Sequence, residues 1–271
     1  MVSIREAKRK SYFLQTSGHG SIGDHPITNR YLETRSLSDK EDDVYSYLLK
    51  REGMETFPQR TTDIAVVQIA DALNIPCYII MAPKIFGMGT GPFNKLSIQL
   101  PQLIRVALKS GQAELIGDGQ GVWSHIHVED LAMLYETIIQ KIIIQKQGIP
   151  SGKSGVYFAT SGEDTWESNA LEIGKVGKDL GRFSTSDIRH VTLDEGAERW
   201  AGGSNSLAEV GFCSKSVYPF PRHYLSESLT SDSARAEADL ARSLGWQPTR
   251  NNIWSQAVRD DFKAVLAKDE A

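Results

Sequence analysis

The stretch Gly117-Asp118-Gly119-Gln120-Gly121-Val122-Trp123-Ser124-His125-Ile126-His127-Val128-Glu129-Asp130-Leu131-Ala132 decides how this chain is read. Its first glycines end a short apolar run, Ala113 to Ile116, that has the length and composition of a strand. Its last residues open a long amphipathic helix, Glu129 to Lys146. Working upstream, Leu96 to Lys109 reads as a helix, preceded by the glycine-rich loop Gly87 to Pro92. Before that loop, Cys77 to Ala82 is a strand stopped by Pro83, and Ser11 to Ser17 is another that ends in Gly18. Between them Ile64, Val67, Ala70 and Leu73 recur at helical spacing over Thr61 to Leu73. Strand, long loop, helix, strand is a parallel α/β crossover.

The rest is less regular. Tyr31 to Pro58 is charged and mixed, with a short helix over Asp43 to Arg51 broken by Gly53 and Pro58. Downstream come a strand at Val156 to Thr160, a helix near Thr165 to Leu180 and a strand at His190 to Leu193. A poorly patterned stretch rich in Gly, Ser and Pro runs from Ala201 to Pro221, before a closing helix near Ala234 to Leu244.

Composition narrows the class. The chain has 271 residues, 40% hydrophobic and 24% charged, enough to bury a globular core. A net charge of -4 disfavours a phosphate-backbone binder, so no nucleic-acid partner is expected. Cys77 and Cys213 lack metal-ligand spacing and form no disulfide framework, which points to no metal and to a reducing cytoplasmic setting. Basic residues in Met1 to Lys10 are followed by only Tyr12-Phe13-Leu14, too little for a signal peptide, and Ile142 to Ile144 is too short to cross a bilayer. No membrane partner is expected.

Gly18-His19-Gly20-Ser21-Ile22-Gly23 matches the letter of a dinucleotide fingerprint. That motif works only where a helix starts on the glycines and points its amides at the pyrophosphate. Here Asp24-His25-Pro26 follows, without an apolar helical stripe, and no acidic residue ends a second strand about twenty residues on. The glycines are read instead as a tight loop.

Taken together, Tyr78 to Gly87, Gly117 to Ala132 and Leu244-Gly245-Trp246-Gln247-Pro248 resemble the extended short-chain dehydrogenases/reductases, the family of sugar-nucleotide epimerases and dehydratases. The resemblance covers most of the chain from Ser11 onward. It implies an α/β fold: a partial Rossmann-like parallel sheet flanked by helices, with a smaller C-terminal α+β substrate lobe. Residues 1–95 and 122–160 would be the remnant of the NAD(P)-binding domain, and 96–121 with 161–271 the interleaved substrate lobe. The family's glycine-rich cradle has no counterpart before Ser11, so NAD or NADP is the implied cofactor but with weak or absent binding by this chain alone.

Family members use a Ser or Thr after the first of these strands, and a Tyr and Lys four residues apart on the next helix. The usual hydroxyl position falls on Gly18, leaving Thr16 and Ser17 as the nearest catalytic candidates, and the helix before Cys77 holds neither Tyr nor Lys. Tyr47, with Arg51 four residues later, is the alternative, read otherwise as a solvated helical face. Ser17, Gly18, Ala82, Pro83, Lys84 and Ile85 are the implied cofactor contacts. Trp123, where relatives carry a diphosphate-binding Arg, and His125 are the implied substrate contacts. His127 would pack at the domain junction, with Asp130 helping to begin the helix. The resemblance implies NAD(P)-dependent chemistry on the carbonyl/alcohol pair of a small, largely apolar substrate, impaired by the lost loop. The alternative is a non-catalytic, NmrA-like nucleotide-sensing or protein-interaction module. An exposed sheet edge at the first strand is expected to allow self-association.

Overall fold

The computed structural model describes residues 10–33, 35, 37–144, 148–213, 236–250 and 253–269. Its strands are β1 Phe13–Gly18, β2 Leu37–Ser38, β3 Cys77–Ala82, β4 Lys84–Phe86, β5 Ala113–Ile116, β6 Val122–His127, β7 Val156–Phe158, β8 Gly162–Thr165, β9 Ile188–Val191 and β10 Ala236–Glu237. The α-helices are α1 Val44–Met54, α2 Pro58–Ala72, α3 Gln99–Ser110, α4 Val128–Ile139, α5 Trp166–Asp179, α6 Leu193–Trp200, α7 Asn205–Phe212, α8 Asp239–Ser243 and α9 Trp254–Asp269.

All six residues of β3 are buried because it lies between β1 and β7 in a parallel sheet, where neither face meets water. Successive β1 side chains reach opposite layers: Ser17 bonds to Asp63 on α2, and Thr16 pairs with Tyr135 on α4. Helices therefore cover both faces, as the expected α/β architecture requires. Among the described residues β1 pairs with β3 alone. A second sheet, β4-β6-β8, and the β5-β9 pair begin the other part of the molecule, whose cores are filled by α3, α5, α6, α7 and α9.

Several expectations need correction. The stretch from Ala201 contains α7, preceded by α6, whose Thr192–Glu195 capping box starts a helix only eight residues long. So short a segment shows barely two turns of periodicity. Residues 214–235, including the rest of that stretch and the start of the helix expected at Ala234, lie outside the described residues. Within it, Ala236 to Leu244 is not one helix, because Ala236 and Glu237 pair with Leu37 and Ser38 before α8 begins. The chain also continues into α9, whose Ala257, Val258, Phe262 and Val265 are buried at helical spacing.

Asp130 lies in the first turn of α4 but does not cap it. His127 caps it, its ring nitrogen accepting from Glu129 N at 3.2 Å. The fully buried Asp130 instead accepts from Thr249 N and Arg250 N, both at 2.9 Å, while Trp246 Nε1 donates to its backbone oxygen at 2.9 Å. Replacing Asp130 by Ala leaves two amides without an acceptor and is expected to cost about 2–4 kcal/mol in urea denaturation, with Trp246 emission shifting toward that of exposed indole. A loss under about 0.5 kcal/mol would contradict this tether.

Candidate functional site

The carboxyl ends of β1 and β3 lie side by side, Gly18 opposite Ala82, at the edge of an open parallel sheet where ligands of such folds settle. Gly18 is extended, at φ -140°, and leads into a single 3-10 turn, His19–Ile22, not an α-helix. No α-helix starts on these glycines, so they do not build the helix-opening amide cluster of a dinucleotide fingerprint. What faces them is Gln59, from the first turn of α2. A Cβ built on Gly18 would stand 3.0 Å from its Nε2, and one on Gly20 3.0 Å from its Oε1.

Four residues on, Asp63 is fully buried and accepts from Gln15 Nε2, Ser17 Oγ and Ser21 Oγ, each at 2.7 Å. Burial pushes its carboxyl above the ordinary range, and the three hydrogen bonds only partly offset this. Arg60 completes the support: it donates from Nε to Ser21 O and from Nη1 to Glu55 O, each at 2.9 Å. The 3-10 turn is thus held from beneath by two α2 side chains. Arg60-Thr61-Thr62-Asp63 stands out in the sequence as a shared feature without a role, and Gln59 and Asp63 share the i, i+4 spacing that puts two residues on one helix face.

The candidate hydroxyls are dispersed. Ser17 turns into the Asp63 cluster, while exposed Thr16 meets Tyr135 on the opposite face. Tyr47 is not on a solvated face, since Tyr47 and Arg51 are both buried. Arg51 donates from Nη1 to Tyr47 Oη and from Nη2 to Gly23 O, both at 3.0 Å, and lies 3.6 Å from the centre of the Tyr31 ring. An arginine with those partners is a brace for the loop after β1.

Beyond Pro83 the backbone enters β4, where Lys84 pairs in register with His125 of β6. Lys84 is 1% exposed; its Nζ donates to Asn169 Oδ1 at 2.8 Å and sits 4.2 Å from the centre of the Trp254 ring. Burial pulls its ammonium down to about 8, against the opposing effect of Asp164. Burial also works to raise Asp164, but the hydrogen bond with His125 and the charge of Lys84 bring it below the ordinary carboxylate range. His125 Nδ1 lies 2.5 Å from Asp164 Oδ2, and its ring stacks on Trp254. Trp123, two residues earlier on the same strand face, packs on Trp166 and approaches the His19 ring edge-on. Gly87 is required beside this sheet: its φ is +87°, and a Cβ there would lie 2.2 Å from His127 Nε2.

A long-range clamp closes the arrangement. Glu209 of α7, wholly buried, accepts from Ile27 N at 2.7 Å, Thr28 N at 2.6 Å and Thr28 Oγ1 at 2.9 Å, and faces His25 Nδ1 at 3.2 Å. His25 Nε2 in turn lies 3.1 Å from Glu55. The loop after β1 is thereby fixed to α7.

A sequence profile of the NAD dependent epimerase/dehydratase family matches residues 58–148, from α2 to just beyond α4. Over those residues the chain is similar to that family. Its architecture resembles UDP-glucose-4-epimerase from Stenotrophomonas maltophila, solved with bound NAD and a formylated UDP-arabinopyranose, at a TM-score of 0.54 and 17% identity over 96% of this chain and 65% of that one. It also resembles dTDP-glucose 4,6-dehydratase from Bacillus anthracis in complex with NAD, at a TM-score of 0.52 and 14% identity over 96% of this chain and 63% of that one. In sequence it is 24% identical to oxidase ucsJ from Acremonium sp over 204 residues, 71% of this chain and 58% of that protein. The chain thus spans roughly three fifths of the length of these relatives. Among the described residues, no helix is long and apolar enough to cross a membrane.

Proposed function

We propose that this chain carries the nicotinamide-proximal and substrate side of an NAD(P)-dependent oxidoreductase, acting on the carbonyl/alcohol pair of a small, largely apolar substrate. The observation that carries this reading is the carboxamide of Gln59 against Gly18. The family pattern has its hydroxyl residue where Gly18 stands and a Tyr and a Lys four residues apart on the next helix, the spacing that Gln59 and Asp63 have on α2. When bound, the nicotinamide would accept or supply the hydride. Gly18, Ala82 and Pro83 present backbone without bulky side chains there, which fits the ring end of the cofactor, whereas the Gly18 to Gly23 loop does not fit its pyrophosphate.

Gln59 can hold a substrate oxygen through its amide N–H but cannot deliver a proton near neutral pH. Asp63 cannot substitute, being committed to three donors. Turnover is therefore slow at the proton-transfer step. Trp123 offers one indole donor where relatives have a guanidinium, which argues against a diphosphate-bearing substrate. Trp166 packs beside it, and both indoles are buried.

Replacing Gln59 by Tyr tests this directly. Consumption of NADH and NADPH against a panel of apolar aldehydes and ketones is expected to rise at least ~10-fold, since a positioned general acid is worth about 10²–10⁴-fold. Cofactor affinity measured by fluorescence in parallel should stay within about twofold. Cofactor binding with no gain in turnover would overturn the catalytic reading. The second reading, a non-catalytic NmrA-like nucleotide-sensing module, is favoured by the fully engaged Asp63. It predicts saturable nucleotide binding and no turnover in either form.

A further inference from the structure

A cleft of about 240 Å³ opens between the start of α3 and the end of α9. It shares no lining residue with the site at Gly18 and Ala82. Ile98, Gln102 and Arg105 line it at the i, i+4, i+7 spacing of one helix face, joined by Lys268 from the last turn of α9. Two side-chain cations thus line one cleft, and no carboxylate lines it among the described residues. On a chain of net charge -4, so local an excess of positive charge draws in an anion and does not reflect a generally basic surface. Other groups hold the rim in place. Gly89 N donates to Lys95 O at 2.8 Å, while Asn94 donates from Nδ2 to Leu96 O at 3.0 Å and accepts at Oδ1 from Leu96 N at 3.3 Å. Gln102 donates to Trp200 O and ties α3 to α6. Ser97, also on the lining, keeps its Oγ buried without a hydrogen-bond partner, so turning that hydroxyl toward a bound acceptor removes a desolvation cost. α3 itself begins here with no side-chain cap, which leaves its positive end to be neutralised by something else.

We propose that this cleft binds a phosphate group, as the free ion or as a small monoester. Arg105 offers a planar N–H fork that matches two phosphate oxygens, Lys268 sets a second positive charge in the same cleft, and Ser97 adds a hydroxyl donor. Arg105 already has an interaction of its own, but a guanidinium carries five N–H donors and has others to give. Other chemistries leave something unmet. A carboxylate brings one charge to two cations, and a neutral polar ligand brings none. Ile98, 77% exposed on the lining, gives the apolar group of an ester a surface to lie on.

The site does not rest on the hydride reading, and its test uses no nucleotide. Calorimetry on the full chain at neutral pH and low salt, with inorganic phosphate, phenyl phosphate and acetate as probes, is expected to give saturable phosphate binding with a Kd on the order of 1 mM or tighter. Acetate should bind at least ~10-fold more weakly, and added salt should weaken phosphate. Phenyl phosphate tighter than the free ion assigns the ester, and equal affinity assigns the ion; either supports the site. Lys268→Gln, at an exposed position, and Arg105→Gln should each weaken phosphate about 10-fold. Lys109→Gln, exposed on the same helix but outside the cleft, should change it by less than about twofold. If Arg105→Gln fails to fold, the two lysine variants still decide the matter. No saturable phosphate binding, equal affinity for acetate, or equal losses from Lys268→Gln and Lys109→Gln would overturn the proposal.

Discussion

Replacing His19 by phenylalanine is expected to stabilise the protein by on the order of 2 kcal/mol more at pH 5 than at pH 7.5. His19 is 1% exposed, in the turn after β1, with its ring against Phe158 at 5.5 Å and Trp123 at 6.5 Å. Burial lowers its imidazole from 6.5 to about 3. The folded state keeps the ring neutral, whereas the unfolded chain takes up a proton below 6.5. Stability from this group is complete above pH 6.5 and is lost as pH falls from there toward 3. Phenylalanine removes the titration and keeps an aromatic ring between the same neighbours. Asp39, pushed up to about 7 by burial, and Asp261, raised to about 6, titrate in the same window but are present in both proteins and cancel in the difference. Denaturant titrations of both proteins at the two pH values measure it. A variant whose advantage is equal at pH 5 and 7.5 would show that His19 is protonated, or solvated, in the native state.

The second large effect is expected at Glu209. Replacing it by Ala should cost about 3–5 kcal/mol, the usual penalty for breaking a buried charged network from one side. Ile27 N, Thr28 N and Thr28 Oγ1 all donate to this carboxylate, and no water reaches it at 0% exposure. Glu209→Gln keeps one acceptor oxygen and should lose only about half as much. The location of the damage is as telling as its size. Amide exchange at Ile27 and Thr28 should quicken by orders of magnitude, while β3 amides, deep in the parallel sheet, respond only to global stability. If those two amides exchange as slowly in the variant as in the wild type, the loop after β1 is held by something other than α7.

Much of the scaffold was legible because its signals are local. Cys77 to Ala82 is a run of apolar residues closed by Pro83, and the observed strand has those bounds. Ala113 to Ile116, bounded by glycines, is likewise the observed β5. The helix of Ile64, Val67 and Ala70 was read from spacing alone and begins three residues earlier than its apolar stripe implied, at Pro58, a residue suited to a first helical turn. Short helices α6 and α7 escaped because eight residues carry little periodicity. The long α9 lies beyond the Leu-Gly-Trp-x-Pro motif, and its apolar spacing at Ala257, Val258, Phe262 and Val265 is local.

The sequence by itself determined the parallel α/β architecture, the resemblance to the epimerase/dehydratase family and the mismatch between the Gly18 to Gly23 glycines and a helix-opening dinucleotide motif. Each follows from covalent order: apolar runs, glycine and proline breaks, and motifs contiguous in the chain. Tertiary structure alone decided what faces Gly18, because Gln59 and Asp63 lie more than forty residues away and resemble any polar pair on a helix. It alone joined Glu209 to Ile27 and Thr28, partners 182 and 181 residues apart. Buried polar groups find their partners through the packing of layers, and the free energy that selects those partners exists only once water has been excluded around them.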